Sequence, residues 1–255
     1  MKGAGRAAVV TGAGRGIGAA IARALAEEGI SVLLAARTQA DVDAVAAELR
    51  ARGATAHAAA CDVTDEGSVR ALGHEANAKL GQVDILVNNA GVSSSAPLRK
   101  LTLDEWNRVL AVNATGVFLC TREFAPAMAE RGWGRVITIA STSGLEGGRY
   151  IAHYCASKHA AVGFTRAAAL ELEDRGVTVN AICPAYVDTP MTDRTLATVE
   201  TKTGLARDAA LRAVLETAGQ ERLIRPEEVA AEVVRLCRDD AVETGQAIVL
   251  DGRSR

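Results

Sequence analysis

Short apolar runs alternate along the whole chain with longer stretches in which Ala, Leu and Val recur at helical spacing among Glu and Arg. Runs of four to eight β-branched-rich apolar residues predict buried strands, and apolar positions at i, i+3 and i+4 predict helices laid against a sheet. Strands are expected at 7–11, 31–35, 55–60, 84–87, 135–140, 178–182 and 247–250. Between them, helices are expected at 16–28, 40–50, 65–79, 103–131, 154–174 and 226–238. Strands that alternate with helices imply βα units around a parallel sheet. The expected fold class is therefore α/β, a Rossmann-like doubly wound seven-stranded parallel sheet with helices on both faces. No linker, fixed-period repeat or low-complexity tract interrupts the pattern, so residues 1–255 are expected to form one domain.

Composition narrows the function classes. With 255 residues, 49% of them apolar, the chain can bury a full core. No apolar run approaches the roughly 18 to 20 residues that span a bilayer, and Gly3 and Gly5 interrupt any signal-like start. A soluble, non-exported, cytoplasmic protein is expected, with no membrane partner. The five cysteines, Cys61, Cys120, Cys155, Cys183 and Cys237, form no CxxC or His/Cys cluster. That spacing predicts reduced thiols and neither disulfides nor a metal site. A net charge of −2 and only three Tyr, three Phe and two Trp argue against a nucleic-acid partner, which needs basic surplus and stacking surfaces.

Candidate chemistry clusters where the predicted strands end. The first runs into Thr11-Gly12-Ala13-Gly14-Arg15-Gly16-Ile17-Gly18, a glycine turn opening a helix whose free N–H groups and dipole can hold a pyrophosphate. Read from Gly12 the loop fails GxGxxG spacing, and from Gly14 it fits only with Ala19 in third place; a tight turn without ligand is the competing reading. Asp62 follows the third strand, Asn88-Asn89-Ala90-Gly91 the fourth and Ser141 the fifth, with Tyr154 and Lys158 opening the next helix.

On these residues the chain resembles the short-chain dehydrogenase/reductase family over nearly its whole length. The family's GxxxGxG falls on Gly12, Gly16 and Gly18, its NNAG on 88–91, and its YxxxK on Tyr154 and Lys158, thirteen residues after Ser141 (154 − 141 = 13) and downstream of Asn113. The resemblance implies reduction of a ketone to a secondary alcohol, or the reverse, by hydride transfer. A hydride delivered to a carbonyl carbon leaves charge on oxygen that a proton donor must meet. Tyr154 is that donor. A free phenol titrates near 10, and Lys158, one turn along the same helix face, carries a charge that favours phenolate. By resemblance Lys158 also holds the nicotinamide ribose, Ser141 bonds the substrate oxygen, and Asn113 supports a water relay. The same resemblance places Gly12, Arg15, Gly16, Ile17, Gly18, Asp62, Val63, Asn89, Ala90, Gly91, Pro184, Val187 and Thr189 around the cofactor with Tyr154 and Lys158.

Cofactor choice follows from the end of the second strand. Ala36 stands where NAD-preferring enzymes carry an acid for the ribose 2′-hydroxyl, and Arg37 next to it suits a 2′-phosphate, with Arg15 as a second contact. NADPH is expected, with NAD as the alternative if Arg37 is only solvated. Asp41 reads as a first-turn residue of the following helix. His153 adjoins Tyr154 but points away along the helix, and Cys155 and Cys183 read as small buried hydrophobes. Two departures from the family pattern are Ala185 after Pro184, where glycine is frequent, and Arg253 after Asp251-Gly252. Residues 186–225 read as a variable substrate lid in which six basic residues, among them Arg194 and Arg207, nearly cancel five acids, as on a solvated amphipathic helix pair. The lid's length resembles 3-oxoacyl thioester and polyketide ketoreductases; hydroxysteroid, aryl and cyclic alcohols stay open. A homotetramer built on helices 103–131 and 154–174 is implied by the family. The reading from another class is a non-catalytic, cofactor-binding regulatory protein.

Overall fold

In the computed structural model, which describes residues 5–253, seven strands pair in parallel in the order β3-β2-β1-β4-β5-β6-β7. They are β1 (Ala7–Thr11), β2 (Ser31–Ala36), β3 (Ala56–Ala60), β4 (Ile85–Asn88), β5 (Gly134–Ile139), β6 (Val177–Pro184) and β7 (Ala247–Leu250). Connecting them are α1 (Gly16–Glu27), α2 (Gln39–Ala51), α3 (Glu66–Leu80), α4 (Leu103–Leu110), α5 (Gly116–Arg131), α6 (Ala152–Leu172), α7 (Pro190–Thr203), α8 (Arg207–Thr217) and α9 (Pro226–Leu236).

Alternation along each strand divides the core into two layers. Ala8 and Val10 of β1, Val32 and Leu34 of β2 and Ile85 and Val87 of β4 pack with α1, α2 and α9. Val9, Leu33, Ala35 and Leu86 face α3, α5 and α6 on the other side. Both faces are covered, so the strands read as continuous apolar runs. At the amino ends of the strands, Trp133 is held between Arg6 and Arg135, whose guanidinium carbons lie 3.8 and 4.4 Å from its ring centre.

Three departures from the sequence expectation bear on the site. The helix expected at 103–131 is one rod interrupted by a π-turn at Ala111–Thr115. β6 runs past 182 to Pro184, because Pro184 pairs with Leu250 and the Ala185 N–H bonds Leu250 O at 2.9 Å. The helix expected from 154 starts two residues sooner, at Ala152.

The segment 186–225 forms the expected helix pair, with only Thr192 and Leu196 of α7 and Ala210 and Val214 of α8 buried. Its roots are clasped together. Gln220 bonds both the N–H (2.8 Å) and the carbonyl (3.1 Å) of Tyr186, and Val187 bridges Ile224. The Arg253 side chain donates to Gly219 O at 3.1 Å, and Gly252, at φ +66°, lies so close that a Cβ there would sit 2.8 Å from Arg222 O. Arg253, which departs from the family pattern, thus ties the last strand to the lid's root. Among the described residues no helix is long and apolar enough to cross a membrane.

Candidate active site

Strand order reverses between β1 and β4, and a doubly wound sheet opens a crevice at the carboxyl ends of such a pair. The glycine loop and Asn89 meet there. The Asn89 side chain donates to Thr11 O at 2.9 Å and Gly12 O at 3.1 Å, while the Thr11 hydroxyl accepts from the N–H groups of Asn89 (3.0 Å) and Ala90 (3.1 Å). This interlock leaves no room for a side chain at Gly12 or Gly18. A Cβ on Gly12 would lie 2.8 Å from the Ala90 Cα, and one on Gly18 would lie 2.4 Å from the Asn89 amide. Gly12 (φ +64°) and Gly16 (φ +55°) also occupy left-handed backbone that other residues resist. Gly14 is equally confined, since its Cβ would meet that of Asp41 at 2.6 Å. Asp41 does lie in the first turn of α2.

α1 begins without a side-chain cap and without an acid in its first turn, so its leading N–H groups are left for an anion. Arg15 and Arg37 flank this end, both exposed and in no ion pair among the described residues. Asp62 closes a turn by accepting from the Thr64 N–H (3.0 Å) and hydroxyl (2.7 Å), contacts that hold its carboxyl below the usual range. Val63 packs against Gly116. Across the crevice, Thr189 caps α7 and lies beside Gly16, and Val187 O accepts from the hydroxyls of Thr189 (3.3 Å) and Thr192 (2.5 Å). Ala185 has no positive φ. The alanine is therefore compatible with this loop, because its N–H simply continues the sheet.

The four predicted catalytic residues come from the π-turn, the connection after β5 and α6. Ser141 follows β5, accepts from the Ser143 N–H at 3.1 Å, and its hydroxyl lies close enough to the half-buried Tyr154 side chain to lower the phenol's pKa. Lys158 lies one turn farther on α6, buried, with its ammonium 5.8 Å from the Tyr154 ring centre and donating to Ile139 O at 2.9 Å. The π-turn carries Asn113 inward, where it donates to Val92 O (2.9 Å) and Ser157 Oγ (3.0 Å) and accepts from the Val92 N–H (2.9 Å). Ser157 in turn donates to Tyr154 O at 2.7 Å. The side chain of Asn113 is fully engaged with the protein.

Electrostatics differ from the sequence expectation in one respect. Burial pushes the Tyr154 phenol up to about 12, offset in part by the Ser141 hydrogen bond, and Lys158 is not among the groups that lower it. Burial also pulls Lys158 down to about 8. Burial thus shifts both groups towards their neutral forms, because a low-dielectric site penalises charge more than a 5.8 Å contact across the ring offsets it. Cys155 and Cys183 are buried among apolar neighbours, and burial raises the Cys183 thiol.

Sequence reasoning missed Thr11 and Ser157, which brace the glycine loop and the Asn113 side chain. Both sit inside quoted motifs, so their positions were in view while their partners were not. It also missed that His153 is engaged rather than idle.

The model of the short chain dehydrogenase family matches residues 6–200 of this chain. The chain belongs to the short-chain dehydrogenase family. This short-chain dehydrogenase is 38% identical over 248 residues to a 3-oxoacyl-[acyl-carrier-protein] reductase of Synechocystis sp., covering 96% of this chain and 95% of that one. It is 35% identical over 247 residues to the D-beta-hydroxybutyrate dehydrogenase of Cupriavidus necator, covering 96% and 95%. Among solved structures, an actinorhodin polyketide ketoreductase with NADPH superposes with a TM-score of 0.93 at 38% identity, covering 99% of this chain and 97% of that one.

Proposed function

We propose that this enzyme reduces a ketone to a secondary alcohol with NADPH, taking a 3-oxoacyl thioester or polyketide-like substrate. The observation that carries the reading is the convergence of Ser141, Tyr154 and Lys158, the last one turn along α6 with its ammonium 5.8 Å from the Tyr154 ring centre, beside a glycine loop at the sheet's switch point. The cradle fits a dinucleotide: Gly12 and Gly18 have no space for a Cβ, and the first turn of α1 has no acid to repel a pyrophosphate. Arg15 and Arg37 would hold the 2′-phosphate, Asp62 and Val63 the adenine side, Ala90 and Gly91 the middle of the cofactor, and Val187 and Thr189 its nicotinamide end. The bound cofactor supplies the hydride.

Ser141 orients the carbonyl oxygen, and the Tyr154 hydroxyl gives that oxygen its proton as charge develops there. A phenol that titrates near 12 is fully protonated at neutral pH, so the acid needed for reduction is present from the start. Lys158 then faces the tyrosinate and favours its recharging, and Asn113, through Ser157, fixes the turn that carries Tyr154. The names of the ketoreductase relatives support the substrate class. The alternative that NAD serves as cofactor turns on Arg37 alone. A non-catalytic cofactor-binding role is disfavoured by the complete set of Asn113, Ser141, Tyr154 and Lys158. We place the enzyme in the cytoplasm as a homotetramer; exposed Phe118 on α5 and Leu170 on α6 supply apolar surface for its helix interfaces.

Tyr154→Phe tests the reading. It removes the proton and leaves the ring, so kcat for reduction of a 3-oxoacyl thioester should fall by about 100- to 10,000-fold. NADPH affinity, followed by cofactor fluorescence, should stay near that of the wild type. Turnover within a few-fold of wild type would place the acid elsewhere.

A further inference from the structure

The loop after β4 is fastened to the start of α6 at every second residue. Val92 is held by Asn113 and, through it, by Ser157; the Ser94 hydroxyl meets the His153 Nε2 at 2.7 Å; and the Ala96 N–H bonds Tyr150 O at 2.8 Å. Two extended residues advance about 6.6 Å and one helical turn about 5.4 Å, so loop and helix stay nearly in step over this span. Tyr150 takes the one non-glycine positive φ among the described residues, +65°, as the chain turns into α6.

The central fastening has a direction. Glu105 on α4 is paired through both oxygens with Arg108 (2.7 and 2.8 Å) and also takes the Ser94 hydroxyl; these bonds hold its carboxyl down at about 2. An ionised carboxylate only accepts, so Ser94 donates to Glu105. The Ser94 oxygen is then the acceptor for His153, which must carry its proton on Nε2. The other ring nitrogen, Nδ1, is buried without a partner, and His153 is wholly inaccessible to solvent. Protonating it would bury an unpaired charge, so the ring stays neutral.

His153 and Ser157 share one stripe of α6, four residues apart, and Tyr154 and Lys158 share the next. One stripe grips the loop while its neighbour carries the proton chemistry. We infer that His153 and Ser94, anchored on Glu105, are positioning residues: their hydrogen-bonded chain fixes the distance between the 92–96 loop and Tyr154, and thereby where the substrate carbonyl rests. This rests on the reductase reading above, with His153 acting through Tyr154 and never on the substrate itself.

Four variants and three readouts test it. Ser94→Ala and His153→Phe remove the chain while keeping apolar volume, and His153→Gln keeps a side-chain N–H donor; Glu105→Gln removes the charge on which the chain ends. Kinetics on a 3-oxoacyl thioester should show kcat lowered by about 10- to 100-fold in Ser94→Ala and His153→Phe, the range expected when a reacting group is misplaced by about 1 Å. NADPH affinity should stay within about twofold, and His153→Gln should recover most of the loss, with Glu105→Gln intermediate. Hydrogen exchange needs no substrate: the amides of Val92 and Ala96 should exchange at least about tenfold faster in the two chain-breaking variants and near the wild-type rate in His153→Gln. Unchanged kcat in both chain-breaking variants overturns the inference, whether or not exchange quickens. So does a loss of kcat matched by loss of NADPH affinity, or a His153→Gln protein as impaired as His153→Phe. If the wild type reduces no ketone, the reductase reading falls, and the exchange rates still decide whether the chain fixes the loop.

Discussion

Lys158 illustrates a conflict between stability and use at a single residue. Its ordinary value of 10.5 is pulled down to about 8 by burial, so folding is penalised while the unfolded chain holds the extra proton. The sign follows: a basic group with a lowered folded value destabilises below about 8, and stability recovers as pH rises from about 8 to 10.5. A shift of that size corresponds to about 3 kcal/mol at most, less about 1 kcal/mol for the hydrogen bond to Ile139 O. Lys158→Met is therefore expected to raise Tm at pH 7 by the equivalent of about 1–2 kcal/mol while suppressing turnover. Calorimetry at pH 7 and at pH 10 checks it, since the gain should shrink at the higher pH. The same titration bears on rate. Reduction should slow above about pH 8 as the ammonium facing Tyr154 is lost, while alcohol oxidation, which needs the tyrosinate, should rise with pH. Tyr154 and Lys158 were legible because their spacing and chemistry are local; the shifts that burial imposes on them were not, because burial depends on the packing of β5 and β6 against α6.

Single elements show where local pattern suffices. β2 ends at Ala36, and exposed Arg37 follows it, at the positions where the resemblance to the family puts the cofactor's ribose. Losing one or two charge-assisted contacts of about 1.5–3 kcal/mol each, and adding a carboxylate, should move kcat/KM from NADPH towards NADH by at least about 10- to 100-fold in Ala36→Asp/Arg37→Ala. A wild type that prefers NADH, or an unchanged ratio in the double variant, would defeat the assignment. The π-turn at 111–115 is the opposite case. Residues 103–131 read as one uninterrupted helix, and nothing in Ala-Val-Asn-Ala-Thr marks a wider turn. The turn is stabilised instead by what Asn113 reaches across space, Val92 and Ser157, and such partners lie outside any local window.

At the scale of the molecule, the doubly wound order was legible because the alternation of strands with helices admits few right-handed arrangements. What the alternation could not supply was the clasp at the roots of the 186–225 segment, built from residues thirty or more positions apart. Association is the other property that belongs here. Half-exposed Phe118 packs edge-on against Phe164 at 6.0 Å, and Leu170 stands 74% exposed on α6, an apolar area suited to pairing helices between subunits. Light scattering at micromolar concentration should return four times the monomer mass of 26.5 kDa; a monomer would refute the assembly, and Leu170→Glu should shift the mass downward.

The clasp also bears on how the protein is made. During synthesis the strands β1 to β6 can all leave the ribosome and find their neighbours before Leu250, Gly252 and Arg253 exist as peptide. Until those residues emerge, Ala185 lacks the carbonyl that continues β6, and Gly219 lacks its guanidinium. A nascent chain can therefore assemble the nucleotide cradle early and still leave the substrate side unfastened until β7 and the two or three residues after it have emerged.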